Sequence, residues 1–167
     1  MNIKHIISIQ CNTEIAIIND YINLIEQSVI MTLQSEMVDV VCVVNVLVTD
    51  DDSIRRYNRD YREIDEATDV LSFPMQSFLS AGWGGHGELE FDEDTGELPL
   101  GDIVLSFESV ERQAVEYGKS IEWEFVYMTA HSVLHLLGYD HDCDDNEREM
   151  QCRKDLIMKE MGFLSDN

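Results

Sequence analysis

The stretch "HSVLHLLGYDH", residues 131–141, constrains this chain more than any other. Three of the five histidines, His131, His135 and His141, fall within it. Residues four apart on a helix share a face, so His131 and His135 can hold one ion without distorting the backbone. His141 lies almost three turns beyond His131, where a continuing helix would carry it away from that ion. Gly138 resolves the conflict: it can adopt positive φ, end the helix and turn "YDH" back toward the first two histidines. Three neutral imidazoles leave a fourth position for water, the arrangement of a catalytic zinc site, whereas closed structural sites use four protein ligands and favour cysteine. Two histidines four apart are a weak sign alone; the glycine and the third histidine make metal binding the expectation. Cys143 is a conceivable fourth ligand, but a thiolate there would close the site.

The spacing HxxxHxxGxxH is shared with a large group of zinc proteases, in which a glutamate follows the first histidine and acts as general base. Here that position is Ser132, which cannot take a proton from water at neutral pH. Zinc alone lowers the pKa of a bound water from ~15.7 to about 7, so hydroxide needs no adjacent glutamate. The motif therefore offers a metal-activated nucleophile or Lewis acid without a local peptide-cleaving base. A protease-like hydrolase remains the weaker alternative.

Charge bears on the substrate. Thirty-four acidic residues against eleven basic ones give −23, which repels nucleic acid and anionic membranes at long range. The bases are not spread evenly: Arg55, Arg56, Arg59 and Arg62 lie in one short stretch, while acid concentrates in "GELEFDEDTGELP" and "DHDCDDNERE". No apolar run is long enough to span a bilayer, and the start "MNIKHIISIQC" reads as a first strand, not a signal peptide. The four cysteines form no CxxC pair and read as thiols in a reducing cytoplasm.

Patterning gives the fold class. Residues 3–10 read as a strand, and a helix follows with Thr13 as N-cap and Ile15, Ile18, Ile22, Ile25, Val29 and Leu33 at helical spacing. "EMVDVVCVVNVLVTD" is β-branched and apolar enough for the centre of a sheet. "TDDDSIRRYNRDYR" starts with capping residues, and its Arg55, Arg59 and Arg62 share one face if the helix extends that far. "DVLSFP" reads as a short strand whose Pro74 suggests an edge. Residues 76–98 form an acidic, glycine-rich insertion, a hairpin or flexible loop, in which His86 is expected to be solvated. "GDIVLS" is a further strand. Ser106 caps a helix ended by Gly118, Ser120 caps the histidine helix, and Asp144 with Glu147 resembles a capping box for a last helix ending at Gly162. The expectation is one domain over residues 1–167, of α+β class, with a small mixed β-sheet covered by helices and a zincin-like metal helix.

"HSVLHLLGYDH" resembles the motif HGxLHLxGYDH of the YbeY endoribonuclease, or ribosomal RNA maturation factor, family. It departs only at Ser132, where glycine is usual. "YREIDEATDVLSFP" is similar to that family's YRxxDxPTDVLSFP, with Ala67 in the proline position, and "GDIVLS" looks like its third block. The resemblance implies a single zinc ion held by His131, His135 and His141, with His131 and Arg62 catalytic. It implies cleavage of single-stranded RNA in ribosomal RNA maturation and ribosome quality control, in the cytoplasm, with the ribosome or its proteins as partners and neither DNA nor membrane. Arg62 would hold two phosphate oxygens as charge builds on them, and Arg55 and Arg59 would contact RNA. Asp140 and Asp102 are candidate partners for a histidine N–H, and Ser132 would limit how near a substrate backbone comes. A non-catalytic ribosome assembly factor with a structural metal is the main alternative.

Overall fold

The β-branched run ending at residue 49 forms the interior of a sheet. The structure, a computed structural model, describes residues 2–12 and 19–163. In it β2 (Cys42–Thr49) pairs in parallel with β1 (Ile6–Cys11) on one side and with β4 (Leu98–Ser106) on the other. The short β3 (Val70–Pro74) runs antiparallel to β4 and closes the order β1-β2-β4-β3, so Pro74 does lie on an edge strand. β1 begins later than residue 3. His5 is buried just before it, and its Nδ1 accepts the Cys42 backbone N–H at 3.2 Å, a side chain doing what a strand carbonyl would do.

The inner face of the sheet packs on α1 (Asn19–Ser35) and α4 (Ile121–Leu136). Val44, Val46 and Val48 of β2 and Ile103 and Leu105 of β4 meet Ile25, Val29 and Leu33 of α1 and Phe125, Val133 and Leu134 of α4 in one core. Truncating one of the leucines, isoleucines or the phenylalanine among them to alanine costs about 2–5 kcal/mol. The proposed N-cap Thr13, with Ile15 and Ile18, lies outside the described residues. α3 (Phe107–Tyr117) and α5 (Asp144–Glu160) flank α4.

Among the described residues, the outer face is served by α2 (Asp51–Arg62) alone. Its Ile54 packs on Leu71 and Val104 in a small separate cluster at one corner of the sheet. Asp50 caps α2 by accepting the Ser53 N–H at 2.8 Å, and the helix does extend to Arg62.

The insertion is fastened to the core. Trp83 is buried and donates its indole N–H to Asp39 at 2.8 Å. The Gln76 side chain donates to the Pro99 and Glu90 carbonyls and accepts the Glu90 N–H. His86 is exposed, as expected of a loop histidine. The capping box is a correction: Cys143 occupies the N-cap of α5 and makes no side-chain cap bond, so Asp144 already lies inside the helix. A thiol is a poor acceptor, and Asp144, Asp145 and Glu147 in the first turn supply the favourable charge instead. No disulfide joins the described cysteines. Among the described residues no helix is long and apolar enough to cross a membrane.

Candidate metal centre

α4 brings the first two histidines together. Ser120 accepts the Trp123 N–H at its start, and Glu122 and Glu124 sit in its first turn. At its end the Tyr139 N–H reaches the Leu134 carbonyl and the Gly138 N–H reaches that of His135, the paired bonds of a Schellman turn. Gly138 has φ 90°, as the reading of the motif requires. It has a second reason to be glycine: a Cβ there would lie 2.5 Å from the Cβ of Phe78 in the insertion. The insertion also supplies the Gly82 N–H to the Leu137 carbonyl at 3.0 Å. Buried Tyr139 pins the turn from below, donating its hydroxyl to Glu36 at 2.8 Å.

The turn returns His141 to the helix. One ring nitrogen from each of His131, His135 and His141 lies within 4.8 Å of the others. The Nε2 atoms of His131 and His135 are 3.0 Å apart. Two nitrogens bound at ~2.0–2.1 Å to one tetrahedral zinc are about 3.3 Å apart, so this pair is set close to the required separation. The Nδ1 of His135 faces the Tyr139 carbonyl at 2.8 Å, which keeps its proton there and aims the Nε2 lone pair at the shared point. Burial holds His131 down to about 3, helped by the charge of Lys154, and burial also lowers His135. Both rings are thus neutral at pH 7, the form a metal needs. The donor set fits a divalent metal ion, and the three histidines could hold one. Cys143 is not part of the group.

The cavity around these rings, about 560 Å³, is also lined by Arg62, Ser72 and Pro74. Arg62 donates to the Ser72 carbonyl at 2.7 Å, and its guanidinium lies 5.8 Å from the centre of the Phe73 ring. Arg55 and Arg59 do not join it. Arg55 makes a two-point pair with Asp65, and Arg59 pairs with Asp60, both exposed at the surface. Asp140 accepts the neighbouring His141 backbone N–H, and Asp102 pairs with Asn45 on the outer face of the sheet. Neither is the histidine partner expected of it. Ser132 is fully buried, and its hydroxyl is hydrogen-bonded to that of Ser72. It therefore ties α4 to β3 and places no restriction on the cavity.

Two residues of the site escaped the sequence reading. Lys154, almost fully buried, has its amine 3.3 Å from His131 Nδ1 and 4.7 Å from the Tyr127 ring centre. Its signal was its position on the buried stripe of α5 with Met150, Ile157 and Met158. Ser72 had a similar signal, a polar residue at an inward position of an apolar strand.

Comparison with known proteins identifies the family of the chain. The profile of the family described as Endoribonuclease YbeY matches residues 7–162. The chain is similar to the Endoribonuclease YbeY of Agathobacter rectalis, 39% identical over 93% of this chain and 94% of that one. It is also similar to the protein of the same description from Clostridium botulinum strain Loch Maree, 41% identical over 90% and 93%. A Thermotoga maritima protein solved in solution shares the fold, with a TM-score of 0.56 and 24% identity over 96% of this chain and 97% of that one. With a family profile spanning nearly its whole length and relatives near 40% identity, the chain belongs to the YbeY endoribonuclease family.

Proposed function

We propose that this chain is a zinc-dependent endoribonuclease that cuts single-stranded RNA in ribosomal RNA maturation and ribosome quality control in the cytoplasm. Its 167 residues work as one domain. The observation that supports this most is the shared cavity: Arg62, fixed by the Ser72 carbonyl, faces the three converging histidines.

His131, His135 and His141 would hold one zinc ion. When bound, the ion supplies Lewis acidity toward a phosphoryl oxygen and generates a nucleophile from water near neutral pH. Arg62 binds non-bridging phosphate oxygens and stabilises the charge that grows on them during cleavage. The Ser72 carbonyl occupies one donor of its guanidinium and so sets the direction of the others. Tyr139 orients His135 through its carbonyl, and the Ser132–Ser72 bond keeps β3, and with it Arg62, in register with α4. Ser132, which follows His131, cannot serve as a peptide-cleaving base, because it is a neutral hydroxyl buried away from the cavity.

The net charge of −23 implies weak, salt-sensitive binding of free RNA, with a ribosomal partner concentrating the substrate. The test is metal analysis of the purified protein with an RNA cleavage assay of wild type, His135→Ala and Arg62→Ala purified in parallel. One zinc per wild-type chain, chelator-sensitive cleavage and loss of cleavage in both variants support the reading. Chelation that unfolds the chain, with RNA processing left intact by Arg62→Ala, points instead to a structural metal in a non-catalytic assembly factor.

A further inference from the structure

The outer face of the sheet is left unused by this reading. Parallel strands are ordinarily covered on both faces, yet here α2 covers only the corner over Leu71 and Val104. The rest is a concave region of about 450 Å³, within the ~300–1,000 Å³ of small-ligand sites. Its floor presents Gln10 from β1, Asn45 from β2 and Asp102 from β4. Its wall is aromatic: Tyr57 and Tyr61 stack at 6.4 Å, and Tyr61 meets Phe73 edge-on at 5.4 Å. Tyr61 is 69% exposed, a large aromatic ring held toward water.

Two features identify the occupant. The first is continuity with the histidine cavity. Alternate residues of β3 line the two sides, Ser72 and Pro74 the histidine cavity and Phe73 the outer one. Arg62 spans the edge between them, bonded to the Ser72 carbonyl and lying against the Phe73 ring. A strand whose phosphate sits at Arg62 can therefore pass over β3 and lay its neighbouring base against the aromatic wall. Stacking on such rings is how proteins hold unpaired bases.

The second feature is the floor. Asp102 Oδ1 accepts from Asn45 Nδ2 at 3.0 Å, and Asp102 Oδ2 and the Asn45 side-chain Oδ1 accept no side-chain hydrogen bond among the described residues. At the centre of this floor the Asp102 carboxylate only accepts, while the Asn45 and Gln10 amides beside it can donate or accept. Guanine offers two adjacent donors, N1–H and the N2 amine, to match a carboxylate. Adenine and cytosine offer one amine beside an acceptor, and uracil offers one N–H between two carbonyls that a carboxylate repels.

We propose that the outer face holds an unpaired base of the RNA substrate, guanine before adenine or cytosine and uracil last, beside the phosphate bound by Arg62. The inference rests on the endoribonuclease reading. The test is an amide NMR titration of the zinc-loaded full chain with guanosine 5′-monophosphate and, separately, uridine 5′-monophosphate. The guanine nucleotide should shift amides around Asn45, Tyr61 and Asp102 and bind about tenfold more tightly, the discrimination of one two-point base contact. Asp102→Asn should remove that preference, and Tyr61→Ala, at an exposed position, should weaken both nucleotides by a similar factor. Equal affinities, shifts confined to the histidine cavity, or a preference that survives in Asp102→Asn would overturn the proposal. Cleavage of oligonucleotides by the same holoenzyme separates the two readings. If no RNA is cut but the guanine preference stands, the endoribonuclease reading fails and the base site remains. If RNA is cut while the nucleotides bypass the outer face, the base site fails alone.

Discussion

The row of arginines on α2 and the histidines of α4 make an instructive pair. Arg55, Arg59 and Arg62 have helical spacing, as His131 and His135 do. The histidines converge on one point, but the arginines disperse. Arg55 and Arg59 find surface carboxylates, and only Arg62, at the last turn, reaches the cavity. A shared helix face gives a shared direction, and a shared destination needs a second element to set it. For the histidines that element is the Gly138 turn, pinned by Tyr139 and the insertion. For Arg62 it is the edge strand with its Ser72 carbonyl.

Each half of this contrast can be broken. His135→Ala removes one of the three proposed ligands. Zinc affinity should fall by more than the ~10–100-fold typical of losing an outer partner, as read by competition with a chelator, and RNA cleavage should vanish with the metal. Arg62→Ala should lower cleavage by about 10²–10³-fold, the scale of losing one preorganised charge stabiliser. Arg55→Ala and Arg59→Ala form the other arm of that comparison and belong at the small end of the range. Their exposed pairs contribute little, and cleavage should stay within about threefold of wild type. A loss in either to match Arg62→Ala would mean that the whole row acts on substrate.

Gly138→Ala tests the turn. Positive φ and the close Phe78 side chain both oppose a Cβ. Thermal unfolding should show a loss of at least about 1 kcal/mol, together with weaker zinc binding as His141 moves. Zinc affinity left unchanged would show that the turn does not place His141.

The opposite end of α4 sharpens the contrast, because burial there has no partner. Glu124 is 1% exposed, and neither carboxyl oxygen has a hydrogen-bond partner among the described residues. Burial, with a contribution from Asp69, raises it from 4.5 to about 6. A folded-state value above the unfolded one means the contribution is fully present below pH 4.5 and is lost as pH rises through about 6. Glu124→Gln should therefore raise stability at pH 8 by about 2 kcal/mol and change little at pH 4.5. Equal effects at the two pH values would show the carboxyl to be solvated.

Much of this was legible in the sequence because the controlling interactions are local. Ser106, Ser120, Gly118 and Gly138 specify their helix ends within a few residues, and the spacing of residues 131–141 specifies the three histidines that converge. Cys143 as N-cap was missed because Asp144 is the better capper by type, and the boundary moved by one residue. What the sequence hid depends on contacts between distant segments. Nothing local pairs Trp83 with Asp39, Tyr139 with Glu36, or Ser132 with Ser72. Asp102 likewise looked like a histidine partner until the register of β4 turned it to the far side of the sheet.

The most direct test measures zinc content and single-turnover RNA cleavage on the same preparation of Arg62→Ala. If three histidines hold the ion and the guanidinium acts beside them, the variant keeps one zinc per chain and cleaves at least about 100-fold more slowly than wild type. Full zinc with undiminished cleavage would contradict the account.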